Sequence, residues 1–419
     1  MKAFVGATLI DGTGKAPVKN SVVLVKEDRI EAAGPRGAVM LPDGVEIVNV
    51  SGLTLLPGLI DTHDHLVTEG YSLSQRWGLS EPLSLKYLKT ARAVEDTLMS
   101  GYTTVRDAGW LDAGFKRAID EGVIPGPRLL VAVAIISATG GAADRFSPAG
   151  YSHPGFGDPL IPSGVANGVD GVRAKVREVC RAGADVVKIA TTGGVGSRPG
   201  FGPKDSLYTL EEIRAAVDEA HFQGRKVMCH AIGGHGLRLA IEAGVDSIEH
   251  GGYLDQEPRL IQAMAERNIF FTPTFTVYVY HRERGQPHMQ SRAREMQPHH
   301  IKSLQMALAA GVRVSAGTDA GGYVKGDNAH EVQLLAEAGM SPMQALRGGT
   351  GWAAECIGLE REGGTVEAGK LADLLVIDGD PLSNISVLRD RSRTRLVMKG
   401  GKAYVDRLGG GGQAGRGAS

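Results

Sequence analysis

Leu56-Pro57-Gly58-Leu59-Ile60-Asp61-Thr62-His63-Asp64-His65 is the stretch on which the reading of this chain turns. An apolar run leads into two histidines, His63 and His65, one residue apart. Residues two apart in an extended strand point to the same side. Both imidazoles can therefore converge on one metal ion if the run is a strand ending at a cleft. Pro57-Gly58 marks the entry of the chain into that strand from a different structural unit.

Downstream, the pattern is strand, loop, helix, repeated. Short β-branched or apolar runs recur at residues 101–107, 128–136, 185–190, 226–230, 247–250, 270–274 and 312–319. Helical stretches separate them, such as the one carrying Val172, Val176 and Val179 at helical spacing. With the opening stretch this makes eight strands, the alternation of an α/β fold and specifically of a (β/α)8 TIM barrel over residues 57–361. Residues 1–56 differ: short alternating runs are punctuated by Asp11-Gly12, Glu27-Asp28 and Asp43-Gly44. A similar pattern returns over 362–406, which predicts a small discontinuous β-sandwich domain built from both termini. The glycine-rich end, 407–419, reads as a disordered tail. Two insertions follow strands and so belong at the catalytic face: 140–167, rich in Gly, Pro and aromatics, and 277–300, polar with many Arg and His. Both read as substrate-facing loops or lids.

Composition excludes several classes. The 419 residues carry a formal net charge of -1, so no overall field draws the chain to nucleic acid or an anionic membrane. No apolar run reaches the roughly 18 residues needed to span a bilayer. The N-terminus lacks a signal-peptide core, and Cys180, Cys229 and Cys356 form neither a disulfide framework nor a CxxC pair. A cytoplasmic protein is the default expectation.

Lys188, His230, His250 and Asp319 sit at or near the C-terminal ends of predicted strands, as do His63 and His65. In a barrel these ends share one mouth, so the six residues can meet in space. Imidazole and carboxylate ligands suit zinc and similar divalent ions. Lys188 joins them only if carbamylated, which turns an ammonium into a carboxylate able to bridge two cations. Taken singly, each residue has an ordinary reading: His250 as a hydrogen-bonded structural residue, Lys188 as a solvated charge, Asp319 as a turn cap. Coincidence at successive strand ends favours the metal site. Other motifs fail. Gly364-Thr365-Val366-Glu367-Ala368-Gly369-Lys370 is followed by Leu371 where a phosphate-binding loop needs a hydroxyl. Gly194-Val195-Gly196 meets Pro199, and Ser315 has no nucleophile-elbow glycine. Arg282, Arg284, Arg292 and Arg294 read as a solvated lid helix rather than a nucleic-acid site.

The chain resembles the amidohydrolase superfamily, in its imidazolonepropionase-like and metal-dependent dipeptidase (prolidase-like) branch. The resemblance rests on residues 57–65, Val187-Lys188-Ile189, Cys229-His230-Ala231, Ser247-Ile248-Glu249-His250-Gly251 and Gly317-Thr318-Asp319, with residues 369–376 as the return to the small domain. It implies two divalent ions, zinc first, with manganese or cobalt as alternatives. His63, His65 and Asp319 would bind one, and His230 and His250 the other. Carbamylated Lys188 and a hydroxide would bridge them. Asp319 would pass the hydroxide's proton to the leaving amine. The resemblance also implies a homo-oligomer.

Two positions depart from dipeptidase relatives. Many carry a His after the paired glycines of the third βα loop, where Gly140-Gly141 is here followed by Ala142. Many carry Tyr or His two residues after the strand-five histidine, where Ile232 stands here. Ala142 and Ile232 suggest a more apolar pocket, suited to a bulky aromatic amide or carbamate. His235 or Tyr278 is the candidate substitute for the lost polar groups, and Arg198 for binding a substrate carboxylate. The expected function is hydrolysis of an amide in an N-acyl amino acid, dipeptide or aryl amide. The alternatives are a carbamate, ester, lactone or phosphoester at the same site, and a non-catalytic scaffold that kept the fold.

Overall fold

The computed structural model describes residues 1–67, 81–144, 161–198, 200–320 and 325–408. Its first six strands are β1 (Lys2–Val5), β2 (Thr8–Leu9), β3 (Ser21–Lys26), β4 (Arg29–Pro35), β5 (Glu46–Asn49) and β6 (Thr54–Pro57). Eight barrel strands or part-strands follow, beginning with β7 (Leu59–Asp64), β8 (Tyr102–Asp107), β9 (Arg128–Val131) and β10 (Ile135–Ile136). They continue with β11 (Val186–Ala190), β12 (Lys226–Ala231), β13 (Ser247–His250) and β14 (Phe270–Thr272). The chain ends on β15 (Leu374–Ile377), β16 (Thr394–Lys399) and β17 (Lys402–Asp406).

One sheet runs β4-β3-β1-β5 and another β17-β16-β15-β6-β2, so strands from both ends of the chain share a sheet. Phe4, Val23 and Val25 from the first sheet pack with Leu55, Val376 and Leu396 from the second, which makes a sandwich. Pro57 and Gly58 are the handover point. Pro57 pairs with Leu374 in the small sheet, whereas Leu59 pairs with Tyr102 in the barrel. A side chain at Gly58 would put its Cβ 2.2 Å from Thr103 Oγ1, so only glycine lets the strand change partners there.

The barrel strands run parallel, β7-β8-β9 and β10-β11-β12-β13-β14. The run expected over 128–136 is broken at Val133, whose φ is +62°. The expected last strand, 312–319, shows only one ladder bridge, Phe271 to Val314. It nevertheless donates Ser315 N–H to Phe271 O at 2.9 Å, while its Ala316 O accepts from Thr62 N at 2.9 Å. Thus it lies between β14 and β7, hydrogen-bonded to both. Local signals build the outer helices. In Gly168–Arg181 the buried residues are Val172, Val176 and Val179, one stripe facing the strands. Thr209 and Glu212 form a reciprocal capping box at the start of Leu210–Phe222.

Residues 277–300, expected as a polar loop or lid with its arginines on a solvated helix, are indeed mostly helix, Phe275–Arg284 and then Pro287–Ala309, but the longer helix is not solvated all round. Met289, Ala293, Met296 and His300 of the longer helix are buried. The 1,4-spaced apolar residues lay hidden among Arg, Gln and His. The other insertion falls partly outside the described residues, as do 409–419 of the expected tail. Among the described residues no helix is long and apolar enough to cross a membrane.

Candidate metal centre

His63 and His65 are held first by their backbones. Asp61 Oδ1 accepts from His63 N at 3.0 Å and from Thr318 N at 3.1 Å, tying the end of β7 to the closing segment. Asp64 Oδ1 accepts from His65 N at 2.7 Å. Asp319 N donates to His63 O at 2.6 Å, which sets the Asp319 carboxylate beside both rings. Its Oδ1 lies 3.4 Å from His65 Nε2 and 3.8 Å from His63 Nε2. One ligand atom from each of His63, His65 and Asp319 falls within 4.8 Å of the others. Gly317 permits this approach, because a Cβ there would lie 2.7 Å from His63 Cβ.

The other three expected residues join them. Lys188 Nζ is 3.4 Å from His63 Nε2. The His63 and His250 rings are 5.1 Å apart, centroid to centroid, and those of His230 and His250 4.4 Å. His250 Nδ1 is 3.9 Å from Asp319 Oδ2. Six residues spread over 257 positions of sequence therefore occupy one site at the mouth of the barrel.

Each imidazole has one nitrogen turned to an acceptor. His63 Nδ1 meets Glu249 Oε2 at 2.7 Å, and His65 Nδ1 meets Gly109 O at 3.1 Å. His230 Nε2 meets Gly193 O at 3.1 Å. A carboxylate or carbonyl can only accept, so these nitrogens carry the ring proton. His250 Nδ1 is 2.8 Å from Thr274 Oγ1. That hydroxyl donates to Pro273 O at 2.6 Å, so it too must accept from the imidazole. The lone pairs are thus Nε2 for His63, His65 and His250, and Nδ1 for His230. Such outer partners set the tautomer and orientation of metal-binding histidines.

Electrostatics keeps the rings of His63, His230 and His250 neutral. Burial, then the Lys188 charge, pushes His63 well below the usual histidine range. Burial and the neighbouring His230 do the same to His250. Burial and Lys188 bring His230 down to about 4. Neutral imidazole is the form that binds a metal. Burial also brings Lys188 down to about 8, against the opposing pull of Glu249 and Asp319.

Backbone strain collects here. His250, Thr274 and Asp319 have φ of +74°, +59° and +48°, in the left-handed region that non-glycine residues rarely adopt. Such conformations persist only where the surroundings over-determine them, as the hydrogen bonds above do.

The expected substrate residues are more dispersed. Tyr278 is buried, with its ring edge-on to His250 at 5.9 Å and its hydroxyl beside Thr274. Ile232 is fully buried under the long helix, clustered with Val195, Tyr253, Tyr278 and Met296, and so forms no open pocket wall. Ala142 and His235 are exposed, and among the described residues no contact brings either to the histidines. Arg198 is exposed, and its Nη2 lies 3.6 Å from where a Cβ on Gly140 would stand. Arg292, read from sequence as solvated, is half-buried and donates to backbone carbonyls of the loop after β11.

Sequence reasoning missed the supports: Glu249, Arg106, Thr274, Gly193 and Trp110. Trp110 stacks on His65 at 4.8 Å. Arg106 Nη2 donates to Glu249 Oε1 at 3.0 Å, and both side chains are within 1% of full burial. A usable signal existed for these two. Each is a charged residue inside a strand buried at every position, and buried charges must be paired.

The Amidohydrolase family profile matches residues 54–404. Ochratoxinase of Aspergillus niger is 31% identical over 420 residues, covering 94% of this chain and 85% of its own. The crystal structure of the A. niger enzyme superposes with a TM-score of 0.86 at 28% identity, covering 97% of this chain and 96% of that one. A prolidase solved with N-methylphosphonate-L-proline is 30% identical with a TM-score of 0.88, covering 97% and 99%. Imidazolonepropionase of Rhizorhabdus wittichii is 27% identical over 391 residues, covering 88% and 90%.

Proposed function

The chain belongs to the amidohydrolase family, and from that premise we propose that it is a two-metal hydrolase cleaving an amide C–N bond in a small molecule. The substrates in view are N-acyl amino acids, dipeptides and aryl amides. One observation carries the reading. Four imidazoles, each with one nitrogen anchored on a fixed partner, gather with Lys188 and Asp319, His63 Nε2 lying 3.4 Å from Lys188 Nζ and His65 Nε2 3.4 Å from Asp319 Oδ1.

That donor set fits two divalent ions, zinc first. His63, His65 and Asp319 would hold one, and His230 and His250 the other, with Lys188 between them as a carbamate. When bound, such ions supply Lewis acidity and water that ionises near neutral pH. The lowered Lys188 value leaves neutral amine available at physiological pH, and that nitrogen can add to carbon dioxide and release a proton. Asp319, a carboxylate 3.4 Å from His65 Nε2, accepts the proton of the attacking water. It returns that proton to the departing nitrogen, because an amine leaves poorly as an anion.

On the substrate side, the Tyr278 ring, edge-on to His250 at 5.9 Å, would pack against the substrate beside the second ion. The Arg198 guanidinium has no carboxylate partner among the described residues and suits a substrate carboxylate. Relatives support the bond type. One is named prolidase, and its bound ligand carries a phosphonate on proline nitrogen, where an amide would have its carbonyl. The test is a hydrolysis screen of the zinc-reconstituted protein on N-acyl amino acids, dipeptides and aryl amides with matched esters. Turnover of amides is expected. Turnover of esters or phosphoesters alone would overturn the reading.

A further inference from the structure

The loop after β11 is wrapped around one side chain of a distant helix. Arg292, on Pro287–Ala309, donates through Nη1 to Ser197 O at 2.8 Å, with longer contacts to Val195 O at 3.4 Å and Gly194 O at 3.5 Å. Its Nη2 reaches Arg198 O at 3.4 Å. Gly202 lies against the same guanidinium, since a Cβ there would be 3.5 Å from Nη2. Arg292 has no carboxylate partner among the described residues, so backbone carbonyls alone receive its charge.

Four carbonyl dipoles converging on one point repel each other unless a cation sits among them. The planar fork of arginine suits that role; a lysine would reach one or two of the four. The loop held this way carries Gly193, whose carbonyl fixes the proton of His230 on Nε2. Gly194 lies under the same ring, a Cβ there being 3.3 Å from His230 Cε1. The short helix before Arg292 touches the other expected ligand of that half-site, through Tyr278 on the His250 ring. His63 and His65 have separate supports, Glu249 and Gly109.

We propose that Arg292 is a positioning residue for one half of the metal centre: it latches the long helix to the 193–198 loop and so sets His230 for the second ion, leaving the His63–His65–Asp319 half independent. This rests on the two-metal reading above. The test measures zinc stoichiometry and stepwise affinity by titration and elemental analysis, with no substrate present. Wild type takes up two ions. Arg292→Met keeps the first and binds the second roughly 10–100-fold more weakly, the usual effect of losing an outer partner. Arg292→Lys falls between, and Arg294→Met, on the exposed side of the same helix, matches wild type. Should Arg292→Met fail to fold, Arg292→Lys alone decides by selective loss of the second ion. Wild-type affinity for both ions in the folded Arg292 variants overturns the latch and leaves the two-metal reading standing. A wild type that takes up a single ion overturns both.

Discussion

His63 Nδ1 and Glu249 Oε2 lie 2.7 Å apart with both side chains out of solvent, and this contact decides which nitrogen of His63 faces the site. The other Glu249 oxygen is held by Arg106 and by the Ser247 hydroxyl. A buried ion pair thus stands behind one proposed metal ligand.

Glu249→Ala should be damaging twice over. It strands the Arg106 guanidinium in the core, and breaking a buried pair from one side costs about 3–5 kcal/mol. It also releases His63, which should weaken zinc binding roughly 10–100-fold. Urea unfolding and zinc titration measure the two effects. A variant with parental stability and affinity would show that Glu249 is a bystander.

Asp319→Asn should fold normally, because the contact to His63 O is made by its backbone. Its turnover should drop by roughly 10²–10⁴, the usual worth of a positioned proton carrier. Circular dichroism and kcat on an amide substrate give the answer; an unaltered kcat removes Asp319 from proton transfer.

Stability should fall in mild acid. Burial lowers His300 from 6.5 to about 3 in the folded chain. Between those values the unfolded chain binds a proton that the folded chain refuses, so this contribution is complete above pH 6.5 and is lost as pH falls toward 3. From pH 6.5 to 5 the loss for this one group is about 2 kcal/mol. His300→Gln should flatten the dependence of the urea midpoint on pH. An equal slope in parent and variant would contradict the assignment.

Arg198 should distinguish substrates by charge. Arg198→Gln is expected to lower kcat/KM roughly 10–100-fold for N-acyl amino acids, the worth of a hydrogen bond to a charged group. The corresponding carboxamides, with the same scissile bond, should be unaffected. Equal losses on both would mean that Arg198 reads no carboxylate.

Much of the site was legible before any tertiary contact was known. Lys188 and His230 declare themselves because each interrupts an apolar strand, and His250 because it ends one, with strand direction following from the helix that comes next. The buried pair Arg106–Glu249 could have been found by the same rule. The long helix was harder. Its buried face, Met289, Ala293, Met296 and His300, is sparse among polar residues, so composition outweighed periodicity. Arg292 had no sequence signal, since its partners are backbone carbonyls and every residue has one.

By itself, the sequence determined the parallel barrel, the sandwich shared between the two ends and the six residues of the proposed centre. Those follow from side-chain type and spacing, which are local properties of a chain. Only the tertiary structure decided which nitrogen of each histidine faces inward, that Ile232 is buried under a helix, and that Arg292 holds the loop carrying Gly193. These depend on angles and distances between residues far apart, such as the 186 positions separating His63 from Glu249. Hydrogen bonds weaken steeply with misalignment, so such geometry exists only once the chain has folded.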